Sequence, residues 1–287
     1  MDRIVKCGLF DGLARVAFID VTDMVNEEIR IHSLSPLATA ALGRCMTLGA
    51  YICANLKSQK DVFSVTVNGG GPLGPIVIAG GGNVLRGYVT NPDVELPLRE
   101  DGHLDVGGGV GTNGFITVIK DLGLKDPYVG RCELATGEIA EDFVKYLYVS
   151  EGIRSSAAFG VRVNKDGCIA AGGIVVEALP GITDDMITIL DDVMSNFSNV
   201  SAMLEKQSVE DIYSFYFSHL NAEVYATEEL KLRCNCSAER IESLILGLGK
   251  EECEDILEKQ GSIEAMCHFC EKRYRYGREE VKALWDR

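Results

Sequence analysis

Four cysteines late in the 287-residue chain have the spacing of a metal site. Cys234 and Cys236 form a C-x-C pair in "RCNCSAER", and Cys267 and Cys270 form a C-x-x-C pair in "MCHFCEKRY". Four thiolates can close a tetrahedral Zn²⁺ site without an open position for a substrate, so such a zinc would be structural rather than hydrolytic. Thiolates are also the form of sulfur that oxidants attack, so the spacing leaves a redox switch open beside purely structural zinc.

Other residues near the pairs offer weaker candidates. His268 could replace one of its two neighbouring cysteines as a ligand, although an exposed loop histidine is the simpler interpretation. Cys253 lies between the pairs and could be a fifth redox thiol. The remaining cysteines have no metal-ligand spacing, and we expect them to be small buried side chains. They are Cys7, Cys45, Cys53, Cys132 and Cys168.

The start of the sequence favours a cytoplasmic protein, and the overall charge bears on its partners. The stretch "MDRIVKCGLFDGLARVAFID" mixes charged with apolar residues and has no continuous apolar segment of a secretory signal. In a reducing compartment, cysteine clusters bind metal or act in redox chemistry more often than they form standing disulfides. The net charge is −15, of which about −14 lies in residues 1–230. Such an acidic body disfavours nucleic-acid binding, and no apolar run predicts a membrane span.

The elements before the cysteines predict two kinds of structure. Residues 1–179 read as a mixed α and β domain, with strands predicted at 62–67, 75–80, 83–89 and 115–120. A buried helix is expected to begin at Ser35 as N-cap and Pro36, and another from about Gly137. From Pro180 to Arg233 the pattern predicts helices only.

Two amphipathic helices are predicted within 180–233, and each needs a surface to pack against. Thr183 can cap the first helix and Ser208 the second. Their predicted apolar faces consist of Ile187, Leu190, Met194 and Phe197, and of Ile212, Phe215, Tyr216 and His219. We expect these helices to dock on the protein's own core, with a reversible cover or partner-binding surface as the alternative.

The last segment predicts a small module with its own helices. Ser237 leads a helix that Gly249 can end, and a second helix ends at Gly261. The first of these helices should place Ile241, Leu244, Ile245 and Leu248 on one stripe. A hairpin through "KRYRYG" and a terminal helix carrying Val281, Leu284 and Trp285 follow the second cysteine pair. Under 60 residues, such a module has little core of its own.

Two glycine-rich stretches imitate a dinucleotide motif. The pattern G-x-G-x-x-G occurs in "GGGPLG" and in "GVGTNG", at Gly69, Gly71 and Gly74 and at Gly109, Gly111 and Gly114. A dinucleotide fingerprint must open a helix, because the pyrophosphate binds at the helix N-terminus. Predicted strands follow both stretches, so we expect the glycines to shape turns.

The cysteine motifs resemble those of the heat shock protein 33 family, the bacterial redox-regulated chaperones of 33 kDa. The resemblance begins with "CNCSAER" and "MCHFCEKRY" and extends upstream through "GGGPLGPIVIAGGGNVLRGYVTNP" and "ELATGEIAEDFVKYLYVSEGIRSSAAFGVRV". It implies an α+β fold in three parts. These are an N-terminal β/β/α layered domain for substrate binding and dimerisation at 1–179, a helical linker at 180–233, and a small zinc-binding redox-switch domain at 234–287.

The resemblance also implies a mechanism. Cys234, Cys236, Cys267 and Cys270 would bind one Zn²⁺ per chain in the reduced form and would be redox-active. Oxidation would form the disulfides Cys234–Cys236 and Cys267–Cys270, release zinc and unfold the module with its linker. The implied function is an ATP-independent holdase and not an enzyme. It would protect unfolded or partly unfolded client proteins during oxidative or heat stress, dimerise on activation, and bind neither nucleic acid nor membranes.

Two functions from other classes are the alternatives. One is a constitutive zinc module that binds nucleic acid through a basic and aromatic face at "KRYRYGR", with Lys272, Arg273 and Arg275. The other is a thiol oxidoreductase that uses Cys267 and Cys270. Redox motifs of that kind normally begin a helix in a βαβ unit, a setting that this sequence does not predict.

Overall fold

The computed structural model describes residues 2–285, so the outermost positions of the predicted first and last domains, 1 and 286–287, lie outside the described residues. The chain folds as two compact units, one up to Arg233 and one from Cys234 onward. We call them unit 1 and unit 2.

Unit 1 contains most of the regular structure. Its strands are β1 (Arg3–Leu9), β2 (Ala14–Asp20), β3 (Val62–Asn68), β4 (Ile76–Gly81), β5 (Val84–Val89), β6 (Phe115–Asp121), β7 (Tyr128–Glu133), β8 (Ser155–Asn164), β9 (Gly167–Ala178), β10 (Glu223–Glu229) and β11 (Lys231–Leu232). Its α-helices are α1 (Thr22–His32), α2 (Pro36–Ala54), α3 (Val106–Val110), α4 (Ala140–Glu151), α5 (Asp184–Met194), α6 (Val200–Lys206) and α7 (Val209–Tyr216).

Within the described part of unit 1, the strands form two sheets. One has five strands in the order β10-β1-β2-β9-β8, and its neighbouring strands are all antiparallel. The other has six strands in the order β11-β5-β4-β3-β6-β7. The predicted strands correspond to β3, β4, β5 and β6, whereas sequence reasoning did not name any strand of the five-stranded sheet. The predicted α+β fold class is confirmed.

Helix α2 packs against strands of both sheets and forms the centre of unit 1. Ser35 caps it as predicted, since its Oγ accepts the N–H of Ala38 at 3.1 Å and Pro36 occupies the first turn. By length and hydropathy α2 could cross a membrane, but 94% of the apolar window is buried inside the protein. Together with α1, α4 and the sheet faces around it, α2 forms the inner core, to which Ile19, Leu42 and Val65 belong.

The opposite face of the five-stranded sheet carries a second core. Side chains alternate along β2, so that Ala17 and Ile19 face the inner core while Val16 and Phe18 face away from it. We call this second set the outer core. Its buried members are Val5, Cys7, Leu9, Ala14, Val16, Phe18, Ile174 and Val176 on the strands, and Leu190, Val193, Phe197, Val200, Val209, Ile212, Phe217 and Leu220 on the segment after Pro180.

The helices after Pro180 therefore dock on the protein's own core, as expected. Thr183 and Ser208 cap α5 and α7 as predicted. The apolar face predicted for the first helix is confirmed at Leu190 in α5 and at Phe197, which follows α5 in a 3-10 turn (Ser195–Asn199). Ile187 and Met194 are partly buried at the margin of this face.

The predicted apolar face of α7 is wrong at its far end. Ile212 is buried, but Phe215 and His219 are exposed, and Tyr216 is partly buried. The α-helix ends at Tyr216, and the next residue departs from helical geometry with φ −124° and ψ −13°. This change of direction turns Phe217 and Leu220 into the outer core in place of the two predicted residues.

The expectation that residues 180–233 contain helices only is wrong. Glu223–Glu229 forms β10, which pairs antiparallel with β1, and Lys231–Leu232 forms β11, which pairs parallel with β5. Most of β10 is exposed because it is an edge strand with polar residues on both faces. The segment after the helices is thus held to both sheets of unit 1.

The two glycine-rich stretches pack against each other. The N–H of Gly71 donates to the carbonyl of Val110 at 2.9 Å, and the N–H of Asn113 donates to Gly69 at 2.9 Å. A Cβ atom at Gly69 would come within 2.0 Å of the Gly111 carbonyl oxygen. The glycines are needed for this close approach of two backbones, and strands β4 and β6 follow them as predicted.

Unit 2 is built from three helices and one hairpin in its described part. They are α8 (Ala238–Leu248), α9 (Lys250–Gln260), β12 (Ser262–Met266), β13 (Arg273–Gly277) and α10 (Arg278–Trp285). Ser237 caps α8, Gly249 follows its end, and Gly261 ends α9 in the left-handed conformation, as predicted. The hairpin differs from the prediction, because β12 precedes the second cysteine pair and the pair lies in the turn.

The buried hydrophobic side chains in the described part of unit 2 form a small cluster that we call the C-terminal core. Its members are Ile241, Ile245, Cys253, Leu257, Ile263, Tyr274, Tyr276, Val281 and Leu284. The predicted stripe on α8 is wrong at Leu244 and Leu248, which are exposed. In this small unit only the row formed by Ile241 and Ile245 is covered.

Candidate metal centre

The second cysteine pair is held by the turn between β12 and β13. The N–H of Cys267 donates to the carbonyl of Lys272 at 3.0 Å, which closes the turn at its base. The carbonyl of Cys267 accepts the N–H groups of Cys270 at 3.3 Å and Glu271 at 2.8 Å. Glu271 has φ 55°, so the chain reverses through a left-handed residue directly after the pair. This hydrogen-bonded turn directs both thiols to one side.

The first cysteine pair lies in the segment that leads into α8. The N–H of Cys236 donates to the sulfur of Cys234 at 3.4 Å, and Ser237 then caps the helix. A backbone N–H aimed at sulfur favours the thiolate over the thiol, because it stabilises negative charge.

The four sulfur atoms gather into one cluster, as the spacing predicted. Their Sγ atoms all lie within 4.8 Å of one another, and all four residues are half-buried. The Cys234 and Cys267 sulfurs are 3.6 Å apart, and the Cys236 and Cys270 sulfurs are 3.4 Å apart. A disulfide would bring two sulfurs to about 2.05 Å. Four thiolates about 2.3 Å from one zinc would be separated by roughly 3.8 Å, so the donor set fits a tetrahedral metal ion.

Among the described residues, the group of His, Cys, Asp or Glu side chains that lie close enough to share one metal ion consists of these four cysteines. His268 is exposed and stands outside the group. The group could therefore bind a metal ion through sulfur alone.

Tyr274 makes a contact with the cluster that sequence reasoning missed. Its hydroxyl donates to the sulfur of Cys236 at 3.2 Å, and its ring belongs to the C-terminal core. The alternation of tyrosine and arginine in "RYRY" indicates a strand with the tyrosines on one face. A contact between residues 38 positions apart has no local signal.

The cluster stabilises negative charge unequally across its thiols. Burial raises the pKa of Cys234 to about 12. Burial also acts to raise the pKa of Cys236, but hydrogen bonds from the Tyr274 hydroxyl and the neighbouring thiols lower it to about 7. The same hydrogen bond raises the pKa of Tyr274, since the phenol must remain protonated to donate. Negative charge is thus favoured at Cys236.

The other cysteines are buried, as predicted for five of them. Cys7, Cys45, Cys53, Cys132 and Cys168 are all less than a tenth exposed. Burial raises the pKa of Cys7 to about 11 and that of Cys168 to about 12, so these thiols are poor nucleophiles. Cys253 is fully buried in the C-terminal core, and its thiol donates to the Ile245 carbonyl at 3.3 Å.

Comparison with known proteins gives one consistent result. The sequence model of the Hsp33 protein family matches residues 2–277. A 33 kDa chaperonin of Bacillus subtilis is 42% identical over all of this chain and 99% of its own length. One of Thermoanaerobacter sp. is 41% identical over 99% of this chain and 97% of its own. The crystal structure of the 33 kDa chaperonin (heat shock protein 33 homologue) from Thermotoga maritima superposes with a TM-score of 0.92 at 33% identity, covering 99% of this chain and 98% of that one.

Proposed function

The chain belongs to the Hsp33 protein family, and from that premise we propose that it is a redox-regulated, ATP-independent holdase. Family membership supports a chaperone function. The finer proposal is that it acts in the cytoplasm on unfolded or partly unfolded proteins, dimerises when activated, and catalyses no reaction. Within it, residues 1–179 bind clients, 180–233 form a linker, and 234–287 form the redox switch.

The observation that carries this proposal is the placement of four half-buried thiols in the unit that has the smaller core. We assign one Zn²⁺ per reduced chain to Cys234, Cys236, Cys267 and Cys270. When bound, the metal keeps four sulfurs as thiolates and adds folding free energy, roughly 10 kcal/mol or more in small zinc domains. Unit 2 then depends on the reduced state of its cysteines.

Oxidation removes that support. We propose that peroxide converts Cys234 and Cys236 into one disulfide and Cys267 and Cys270 into another. For each disulfide, two thiolates give two electrons to one peroxide molecule, which takes up two protons from the solvent and becomes two waters. A sulfur within a disulfide is no longer a thiolate ligand, so unit 2 loses its metal and unfolds. Pairing within each motif is expected because neighbours in sequence remain close in an unfolded chain.

The outer core is the apolar surface that the switch would release. Leu190, Phe197 and Ile212 cover the sheet face that contains Val16 and Phe18. If the docking of these helices depends on a folded unit 2, the oxidised protein exposes apolar area on both the helices and the sheet. Contiguous apolar surface binds unfolding proteins. The charge of about −14 on residues 1–230 would keep the resulting complexes apart by repulsion.

The structure gives reasons to prefer this function over the two alternatives. Tyr274 and Tyr276 are buried in the C-terminal core, so "KRYRYGR" does not present an aromatic face for nucleic acid in the folded unit. Cys267 and Cys270 lie in a turn between two strands rather than at the start of a helix, where thiol oxidoreductases place their motif.

The test is to measure zinc content and suppression of client aggregation together, before and after peroxide treatment. We expect one zinc per reduced chain with little suppression, and loss of zinc with strong suppression after oxidation. Peptide mapping should find the two disulfides within the motifs. A reduced chain without zinc, or one that suppresses aggregation equally in both states, would contradict the proposal.

A chain truncated after Arg233 tests the cover separately. This end point keeps the buried Leu230 and strand β11 in place. We expect the truncated protein to suppress aggregation under reducing conditions. A folded truncated protein that fails to do so, while the oxidised full-length protein succeeds, would place the client surface in unit 2.

A further inference from the structure

The hydroxyl of Tyr274 contacts the cysteine cluster without belonging to either cysteine motif. Tyr274 lies on β13, is 8% exposed, and places its Oη 3.2 Å from the sulfur of Cys236. A thiolate offers only lone pairs, so the phenol must be the donor of this hydrogen bond. Because the ring is packed in the C-terminal core, the donor is held in position rather than free to turn to water.

A neighbouring cation strengthens this donor. The ammonium group of Lys272 lies 4.9 Å from the centre of the Tyr274 ring. A cation at a ring face draws on its electron density, which makes the phenolic proton a better hydrogen-bond donor. Lys272 is exposed, so its contribution should be smaller than that of the hydroxyl itself.

We propose that Tyr274 is a positioning residue that sets how readily the cluster is oxidised, because its hydrogen bond lowers the nucleophilicity of the Cys236 sulfur. This inference rests on the proposed redox function. In the metal-loaded state every ligand sulfur is already a thiolate, so a hydrogen bond adds no thiolate and only withdraws charge from the attacking lone pair. Less charge on sulfur means lower nucleophilicity toward peroxide. The oxidation threshold is thus set in part by a residue outside the cysteine motifs.

Unit 2 contains a matched control for this contact. Tyr276 lies two positions along the same strand, is 9% exposed, and also belongs to the C-terminal core. Its hydroxyl donates to the carbonyl of Ala238 at 3.4 Å instead of to a sulfur. Tyr276→Phe therefore removes the same group from the same core without changing the cysteines.

The experiment compares four zinc-loaded, reduced full-length chains: the unaltered protein, Tyr274→Phe, Tyr276→Phe and Lys272→Met. Zinc release after addition of peroxide is followed with a metal indicator, and mass spectrometry after alkylation identifies which cysteine reacts first. The hydrogen bond stabilises the resting thiolate, and part of this stabilisation is lost when the sulfur attacks peroxide. We therefore expect Tyr274→Phe to react roughly three- to ten-fold faster. In Tyr274→Phe, Cys236 should become the first thiol modified, since it alone loses a hydrogen bond. Lys272→Met should accelerate the reaction less than Tyr274→Phe, and Tyr276→Phe should leave the rate unchanged.

Equal acceleration by Tyr274→Phe and Tyr276→Phe would overturn the inference, because a loosened core would then explain both. So would an unchanged or slower rate in Tyr274→Phe. As a readout that loosening alone would not move, the ¹¹³Cd resonance of the cadmium-substituted protein should shift in Tyr274→Phe and not in Tyr276→Phe. These measurements use no client protein. A chain that shows the expected order of rates but never suppresses aggregation would therefore refute the holdase function and not the role of Tyr274.

Discussion

Units 1 and 2 are stabilised by different means. Unit 1 buries hydrophobic side chains on both faces of its five-stranded sheet, in the inner and the outer core. Unit 2 gathers nine buried hydrophobic side chains in its described part, together with the four half-buried thiols of the cluster. Domains of this size bury too small a fraction of their surface to be stable by burial alone and commonly use metals or disulfides.

This difference explains where a redox signal can act. A change in thiol chemistry has little effect on a fold supported by a large core, and the five cysteines of unit 1 are buried where oxidants reach them poorly. In unit 2, by contrast, the proposed metal would supply much of the support, so the same chemistry would decide whether the unit stays folded. A unit that folds only when its thiols are reduced, joined to a unit that stays folded in both redox states, is a suitable arrangement for a switch.

Removal of the metal should break unit 2 and spare unit 1. Cys267→Ser with Cys270→Ser eliminates half of the ligand set, and we expect unit 2 to lose roughly 10 kcal/mol of support and unfold. Hydrogen exchange should then be fast throughout α8–α10 and stay slow in α2. Cys253→Ala, which removes a buried thiol outside the cluster, should retain zinc and protection. Protected amides in unit 2 of the doubly substituted protein would contradict the comparison.

Weakening the outer core should mimic the switch without oxidation. Phe197 is 1% exposed and packs against Tyr216 and Phe217, with ring centroids 5.1 Å and 5.9 Å away. Phe197→Ala should cost about 3–5 kcal/mol and loosen α5–α7, so aggregation of a heated client should be suppressed under reducing conditions. Phe215→Ala is the control, because Phe215 is 76% exposed and its loss should change little. A destabilised Phe197→Ala protein with no reduced-state activity would separate the outer core from client binding.

Sequence reasoning succeeded where the controlling interactions are local. Ser35, Thr183, Ser208 and Ser237 cap the predicted helices, because a cap depends on residues within one turn. The cysteine cluster was predictable for a similar reason, since metal-ligand spacing within each pair is a local pattern.

Sequence reasoning failed where the partner is distant. Strand β10 was missed because its polar sequence has no buried face, and it is a strand only through pairing with β1, as in Arg3 opposite Glu229. The burial of Phe217 instead of Phe215 depends on where α7 ends on the outer core. The hydrogen bond from Tyr274 to Cys236 likewise arises only when the hairpin and the first cysteine pair come together.

The pH dependence of zinc binding should report whether metal-free unit 2 is folded. Each thiol that must lose a proton weakens binding about tenfold per pH unit of acidification, or about 1.4 kcal/mol. In the folded metal-free unit the pKa of Cys236 is lowered to about 7. The Cys236 thiolate then adds to the free energy of unfolding at pH values above the pKa of an unfolded thiol, and this addition is lost as the pH falls through about 7. If the metal-free unit is unfolded, as we expect, competition with a chelator should show the slope of affinity against pH decreasing only near 8.5. A decrease near 7 would reveal a folded metal-free unit and weaken the comparison.

The same substitution, glycine to alanine, should change the stability of unit 2 in opposite directions at two positions, and these are the smallest effects that we predict. Gly261 ends α9 with φ +77°, so Gly261→Ala strains the backbone and should lower the stability of the zinc-loaded unit by about 1 kcal/mol. Gly247 lies within α8 with open space around its Cβ position, so Gly247→Ala should raise stability by up to about 1 kcal/mol. Denaturant unfolding monitored in unit 2 measures both changes. If zinc supplies most of the support, as proposed, neither substitution should alter zinc content. Loss of zinc from Gly261→Ala would show that the helices rather than the metal limit the stability of this unit.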